Sequence, residues 1–327
     1  MIPKETIKKL AERILKNVPK TESTGLYNGK AGLSLSLFFA ADYLEDEKMD
    51  DAAYKLLLES LIIKNSDLSF ENGLSGVGYA LLYLLEKQMA EADFDDVFRT
   101  PYETIIRNFE NIEKFPYGVL NMFPAIAFLT KVGDIKKDDE RVRDVIKKFF
   151  EGVELYLTVQ FRDFTEIGYI NKKLNVLSLF NTYLKLVDYS GYAHFSSSLL
   201  DIYASIYRKG RIISSLEMGY CLKKICIRNN INQYDDLIHE NIANGIKNIH
   251  FETLSLRERI DLVKILSDID NTAINEQHLL PEIEKIDNDM VIYNLQQTID
   301  EHFFPFGYGA GLGRLLIYCI DNKVELL

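Results

Sequence analysis

The stretch GLYNGKAG at residues 25–32 holds the residue types of a phosphate-binding loop: spaced glycines, a lysine and an apolar run behind them. Such a loop cradles phosphate oxygens with backbone N–H groups at a helix start and places a hydroxyl on magnesium. Here the glycines stand one residue too close, Ala31 replaces the hydroxyl, and the preceding NVPKTEST is too polar for a buried strand. Nucleotide chemistry is therefore not expected. Thiols and imidazoles are the other reactive groups. The cysteines are Cys221, Cys226 and Cys319, too few for a disulfide framework and suited to a reducing compartment. The histidines, His194, His239, His250, His278 and His302, match no metal-binding spacing.

The loop recurs, and the recurrence shows which elements must position it. ENGLSGVG at 71–78 sets Asn72-Gly73 under Asn28-Gly29 and Gly76 under Gly32. FGYGAGLG at 306–313 offers Gly311-Leu312-Gly313 for Gly76-Val77-Gly78. Fainter copies follow at 115, 167, 216 and 250, the last without any glycine. Each opens an apolar run too long for a strand, so a buried helix is expected. Between the runs lie amphipathic segments such as DDAAYKLLLESLIIK and RVRDVIKKFFEGVELYLTVQF. Anchors near 28, 72, 118, 171, 218, 253 and 308 give one helical pair per unit. The expected architecture is all-α, with apolar helices inside and amphipathic helices outside. The end units are too apolar to cap an open solenoid, so the first is expected to pack on the last in a closed ring. One domain over 1–327 then replaces the two that length suggests, and six units remain the alternative if the copy at 250 is not real.

Of the 327 residues 47% are apolar, and the net charge is −11. That is enough for a large core, and it leaves no basic surplus for general nucleic-acid binding. No apolar run spans a bilayer and no signal core opens the sequence, so a cytoplasmic protein is expected.

With GLYNGKAG and ENGLSGVG opening apolar double-helix units, the sequence resembles the lanthionine synthetase C-like proteins, strongly in the first two units and the last. The resemblance implies an α/α toroid of about seven helical hairpins. It also implies a peptide-modification setting, where active members use zinc to activate a cysteine thiol for addition to a dehydroamino acid. A zinc-bound thiolate is a sound nucleophile for that step. The family's tryptophan-cysteine motif, its Cys-His pair before the last inner helix and its middle-unit histidine have no counterparts here. Phe306-Gly307-Tyr308-Gly309, an absence of tryptophan, and Asn171 stand in those places. Cys221 falls about four residues too late within its helix to match the cysteine motif.

No metal or other cofactor is therefore expected, and no catalytic residue is assigned. The expected partner is a precursor peptide or another modification enzyme. Tyr27, Asn28, Glu71, Asn72, Tyr169, Asn171, Glu217 and Tyr308 occupy matching places before successive apolar helices and are the candidate peptide-binding groups. The same groups would otherwise satisfy loop backbones. A purely structural scaffold working through its acidic outer face is one alternative, and two other functions remain open. One is an active cyclase with substitute ligands such as His250 and His302. The other is a carbohydrate-active toroid using Glu71 and Glu217, since glycosidases need a pair of placed carboxylates.

Overall fold

The computed structural model describes residues 2–62, 67–110, 119–163, 170–192, 195–210, 212, 214–250, 254–269, 289–299 and 302–321. Among them every regular element is a helix, and the helices alternate along the chain in two series. One series is α1 (Lys4–Asn17), α3 (Glu47–Ser60), α5 (Phe94–Glu110), α7 (Glu140–Asp163), α9 (Ser197–Arg208), α11 (Asp235–Lys247) and α13 (Asp289–Gln297). Alternating with it are α2 (Lys30–Leu44), α4 (Leu74–Glu86), α6 (Val119–Ile135), α8 (Ile170–Ser190), α10 (Leu216–Arg228), α12 (Leu256–Asp268) and α14 (Leu312–Ile320). The copy that lost its glycines is thus a helix too, α12. It starts with a capping box in which Ser255 and Glu258 satisfy each other's backbone N–H groups.

The chain forms two compact units, Met1–Ile105 with His250–Leu327, and Ile106–Ile249. In the first, α2 is buried from Ala31 to Ala41. Its hydroxyls turn back to carbonyls: Ser34 Oγ donates to Ala53 O at 2.7 Å and Ser36 Oγ to Gly32 O at 2.9 Å. Helix α14 packs on α1 and α2, and α12 packs on α14, so the two ends of the sequence share one core.

A common loop opens the three glycine-rich apolar helices. Each begins at a glycine in extended conformation, Gly29, Gly73 or Gly311. The first helical N–H then donates to a carbonyl seven residues upstream: Lys30 to Ser23 at 3.0 Å, Leu74 to Asp67 at 2.8 Å and Leu312 to Pro305 at 2.9 Å. This closure consumes N–H groups that a phosphate loop would aim at its ligand. It also corrects the register of the last copy. Gly311 takes the place of Gly29 and Gly73, not that of Gly76, because the capping glycine and its seven-residue closure define the equivalence. Arg314 then occupies the slot of Gly32 and Gly76.

The far ends share a device as well. Glu45, Gln88 and Asn230 follow α2, α4 and α10 in left-handed conformation, with φ of 58°, 57° and 54°. The next residue's N–H then reaches the carbonyl five residues back, Met89 to Leu84 at 2.9 Å for example. A side chain raises the energy of that conformation, and asparagine bears it best. Gln88→Gly is expected to stabilise the protein by about 0.5–1 kcal/mol, seen as a rise in melting temperature of about 2 °C. Asn230→Gly should gain less.

In the second unit α6 packs on α7 and α8, α7 on α8 and α9, and α10 on α8 and α11. Here the apolar series carries a polar seam that the repeat pattern did not anticipate. Between α8 and α10, Asp188 meets Lys224 at 2.7 Å and Arg228 at 2.8 Å. Arg228 also donates to the Val187 and Asp188 carbonyls at the end of α8. Among the described residues no helix is long and apolar enough to cross a membrane.

Candidate functional site

The glycine-rich loops of the first unit lock together through their backbones. Gly25 N–H donates to Asn72 O at 3.2 Å, Leu26 N–H to Phe70 O at 3.0 Å, and Asn28 N–H to Glu71 O at 3.1 Å. The last loop joins from the other side, where Gly309 N–H donates to Tyr27 O at 3.2 Å. The Asn28 amide bridges the same pair of loops: its Oδ1 accepts from Phe304 N–H at 2.9 Å and its Nδ2 donates to His302 O at 3.4 Å. Asn72 Oδ1 accepts from Ser23 Oγ at 3.1 Å. Asparagine suits this work because its amide serves a donor and an acceptor at once.

Close approach is the condition for the lock. A Cβ on Gly32 would lie 1.8 Å from the Leu26 carbonyl oxygen and 2.7 Å from Tyr308 Cβ, and one on Gly76 2.0 Å from the Phe70 carbonyl oxygen. Glycine is required at both positions for space.

Tyr27, Asn28, Glu71, Asn72 and Tyr308 are thus brought together in one unit. Tyr27 and Tyr308 are buried, with Tyr308 1% exposed. Tyr27 meets Phe70 edge-on at 5.3 Å and stacks with Tyr308 at 6.4 Å between centroids. Asn72 remains exposed, and Asn28 and Glu71 are partly so. Tyr169 lies outside the described residues, and Asn171 is in the first turn of α8. Glu217 belongs to the second unit, in the first turn of α10, where it accepts from Lys185 Nζ at 2.5 Å and Asn181 Nδ2 at 2.6 Å.

A charged group missed from the sequence backs this cluster. Arg314 is 1% exposed and its guanidinium meets Asp261 of α12 at 2.6 Å. Arg257, one turn before Asp261 on α12, lies 3.9 Å from the same carboxylate, and its guanidinium sits 5.1 Å over the Tyr27 ring. The signal was present in GLGRLLIYCI: a single cation inside an otherwise apolar run requires a carboxylate opposite it.

The described residues do not fit zinc. Among them no three of His, Cys, Asp and Glu come together as a metal ligand set. Cys221 is buried, and burial first, then Glu217 and Asp188, push its thiol up to about 12, so it is not a thiolate at neutral pH. Burial pushes Cys226 up to about 11, with Asp235 adding to the shift. His250 and His302 are exposed, while Glu252, Glu301, His194 and His278 lie outside the described residues. The loop Phe306-Gly307-Tyr308-Gly309 is closed on Tyr27: a Cβ on Gly307 would lie 2.3 Å from Tyr27 O, and one on Gly309 2.6 Å from Tyr27 Cβ. A groove of about 490 Å³ in the second unit is lined by Asp201, Ala204, Ser205, Arg208, Lys209, Gln233 and Tyr234, and it contains none of the residues named above for peptide binding.

Fold and loops together define an all-α protein of paired helices with glycine-opened apolar helices. Residues 3–122 match the sequence model of the lanthionine synthetase C-like proteins, which bears out the resemblance read from GLYNGKAG and ENGLSGVG. No curated protein and no solved structure matches the chain.

Proposed function

We propose that this lanthionine synthetase C-like chain serves a peptide-modification pathway by binding a precursor peptide or a partner enzyme, without zinc and without catalysing ring closure. One observation carries the reading. Where the resemblance calls for a metal-binding Cys-His pair, Phe306-Gly307-Tyr308-Gly309 instead packs on Tyr27 and leaves no thiol or imidazole in place. The groups offered at these loop ends are amide, carboxylate and aromatic, which suit hydrogen bonding and stacking against a peptide. Exposed Asn72 and half-buried Glu71 are the natural contacts, with Tyr27 and Tyr308 as the packed floor beneath.

Elemental analysis tests the reading on protein expressed without a histidine tag in zinc-supplemented medium. The expected result is well under one zinc per chain. A stoichiometric zinc lost in His250→Ala or His302→Ala would overturn it in favour of a cyclase with substitute ligands.

A further inference from the structure

Helix α3 carries two apolar faces. Met49, Ala53, Leu56 and Leu57 are buried, and the helix packs on α2. There Ala53 O accepts from Ser34 Oγ and Glu59 meets Lys30 at 2.6 Å. A second row, Tyr54, Leu58 and Ile62, recurs every fourth residue and faces away from this contact. These side chains are 47%, 46% and 59% exposed, the last just beyond the helix end. One outward apolar residue is ordinary, but three in a row on one surface mark an interface.

The charges around the row select its occupant. Glu47, Asp50 and Asp51 are exposed on the turns preceding Tyr54. Partial burial, then Asp51 and Asp42, push the Asp50 carboxyl up, so the negative charge here is crowded. Lys30 is hydrogen-bonded to Glu59 and Lys55 acts on the same carboxylate, together holding it below its usual range, while exposed Lys48 stands against three carboxylates, Glu47, Asp50 and Asp51, on the first turns of the helix. The face is therefore apolar at its C-terminal half and acidic at its N-terminal half.

We infer that this face docks a basic amphipathic helix of a partner protein or peptide, with aliphatic side chains on Tyr54, Leu58 and Ile62 and Lys or Arg beside Asp50 and Asp51. Spaced aliphatic anchors on such a helix would match the four-residue interval of the row. Its cations would relieve the repulsion among the acids and steer the approach. The inference does not rest on the peptide-binding reading given to the interlocked loops.

The test is fluorescence anisotropy with a labelled synthetic helix of about 18 residues, long enough to hold its shape. It carries leucines at i, i+4 and i+8 and lysines on the adjoining turn. A scrambled peptide of identical composition is the control. Wild-type protein is expected to prefer the patterned helix about tenfold. Leu58→Ser, which changes no charge on an exposed position, is expected to remove that preference with an unaltered melting temperature. Asp50→Asn with Asp51→Asn should weaken binding more at low salt than at high salt. Equal binding of the two peptides, or a preference that survives Leu58→Ser, would overturn the proposal. So would a dimer in analytical ultracentrifugation that Leu58→Ser dissociates, because the face would then belong to a second copy of the chain.

Discussion

Asp261→Ala is expected to destabilise the protein by about 3 kcal/mol, the low end of the range for breaking a buried ion pair. The figure is set low because the Asp261 side chain is 26% exposed, so water enters part of the site. The loss comes mainly from the other partner. Arg314 is 1% exposed within α14, and without this carboxylate its charge stays in the core with poorer compensation. Arg314→Met removes the charge and keeps most of the volume, leaving a carboxylate that water and Arg257 can still serve. It should cost at most about 1 kcal/mol. Urea unfolding of the two variants checks the asymmetry; equal losses would mean that Arg314 is not held in the core through Asp261. The Arg257 contact to Tyr27 predicts a further loosening of the loops in Asp261→Ala, visible as faster amide exchange at Gly309.

Gly32→Ala is expected to cost about 3 kcal/mol or more. The added methyl would lie 1.8 Å from a backbone oxygen, and backbone yields less readily than the tip of a side chain. To make room, the Leu26 loop must leave Phe70, or α2 must leave α14, and either move breaks hydrogen bonds between the interlocked loops. Gly76→Ala should behave alike, since its Cβ would lie 2.0 Å from the Phe70 carbonyl oxygen. The same substitution has the opposite sign at Gly133 in α6. There the new Cβ makes only ordinary side-chain contacts, with Val142 Cγ1 at 3.5 Å and Ile146 Cδ1 at 3.9 Å, and alanine in place of glycine favours a helix by about 0.5–1 kcal/mol. Denaturant midpoints of Gly32→Ala and Gly133→Ala should move in opposite directions. A mild effect at Gly32 would mean that the loops are free to separate.

The candidate residues show how far local patterns reach. Asn28 and Asn72 could be picked out because they recur before apolar helices. That both would bridge loops from distant parts of the chain could not, because Asn28 finds its partners at His302 and Phe304. Tyr308 was chosen through a GLG match that is three residues out of register with the structure. Similar glycine spacing occurs at two offsets in the last copy, and only the carbonyl seven residues upstream tells them apart. The polar seam on α8 and α10 escaped the apolar-versus-amphipathic division because its charges are neutralised between helices rather than by solvent.

The amino-acid order alone determined the helical class, the alternation of apolar and amphipathic helices, and the family resemblance. These follow from side-chain periodicity and residue identity, which act over one or two turns. Tertiary structure decided that Tyr27 and Tyr308 stack in a buried floor, that Arg314 needs Asp261, and that α3 keeps a second apolar row in solvent. Each depends on which surfaces of distant segments come within a few ångströms, and burial and charge pairing take their energies from that distance.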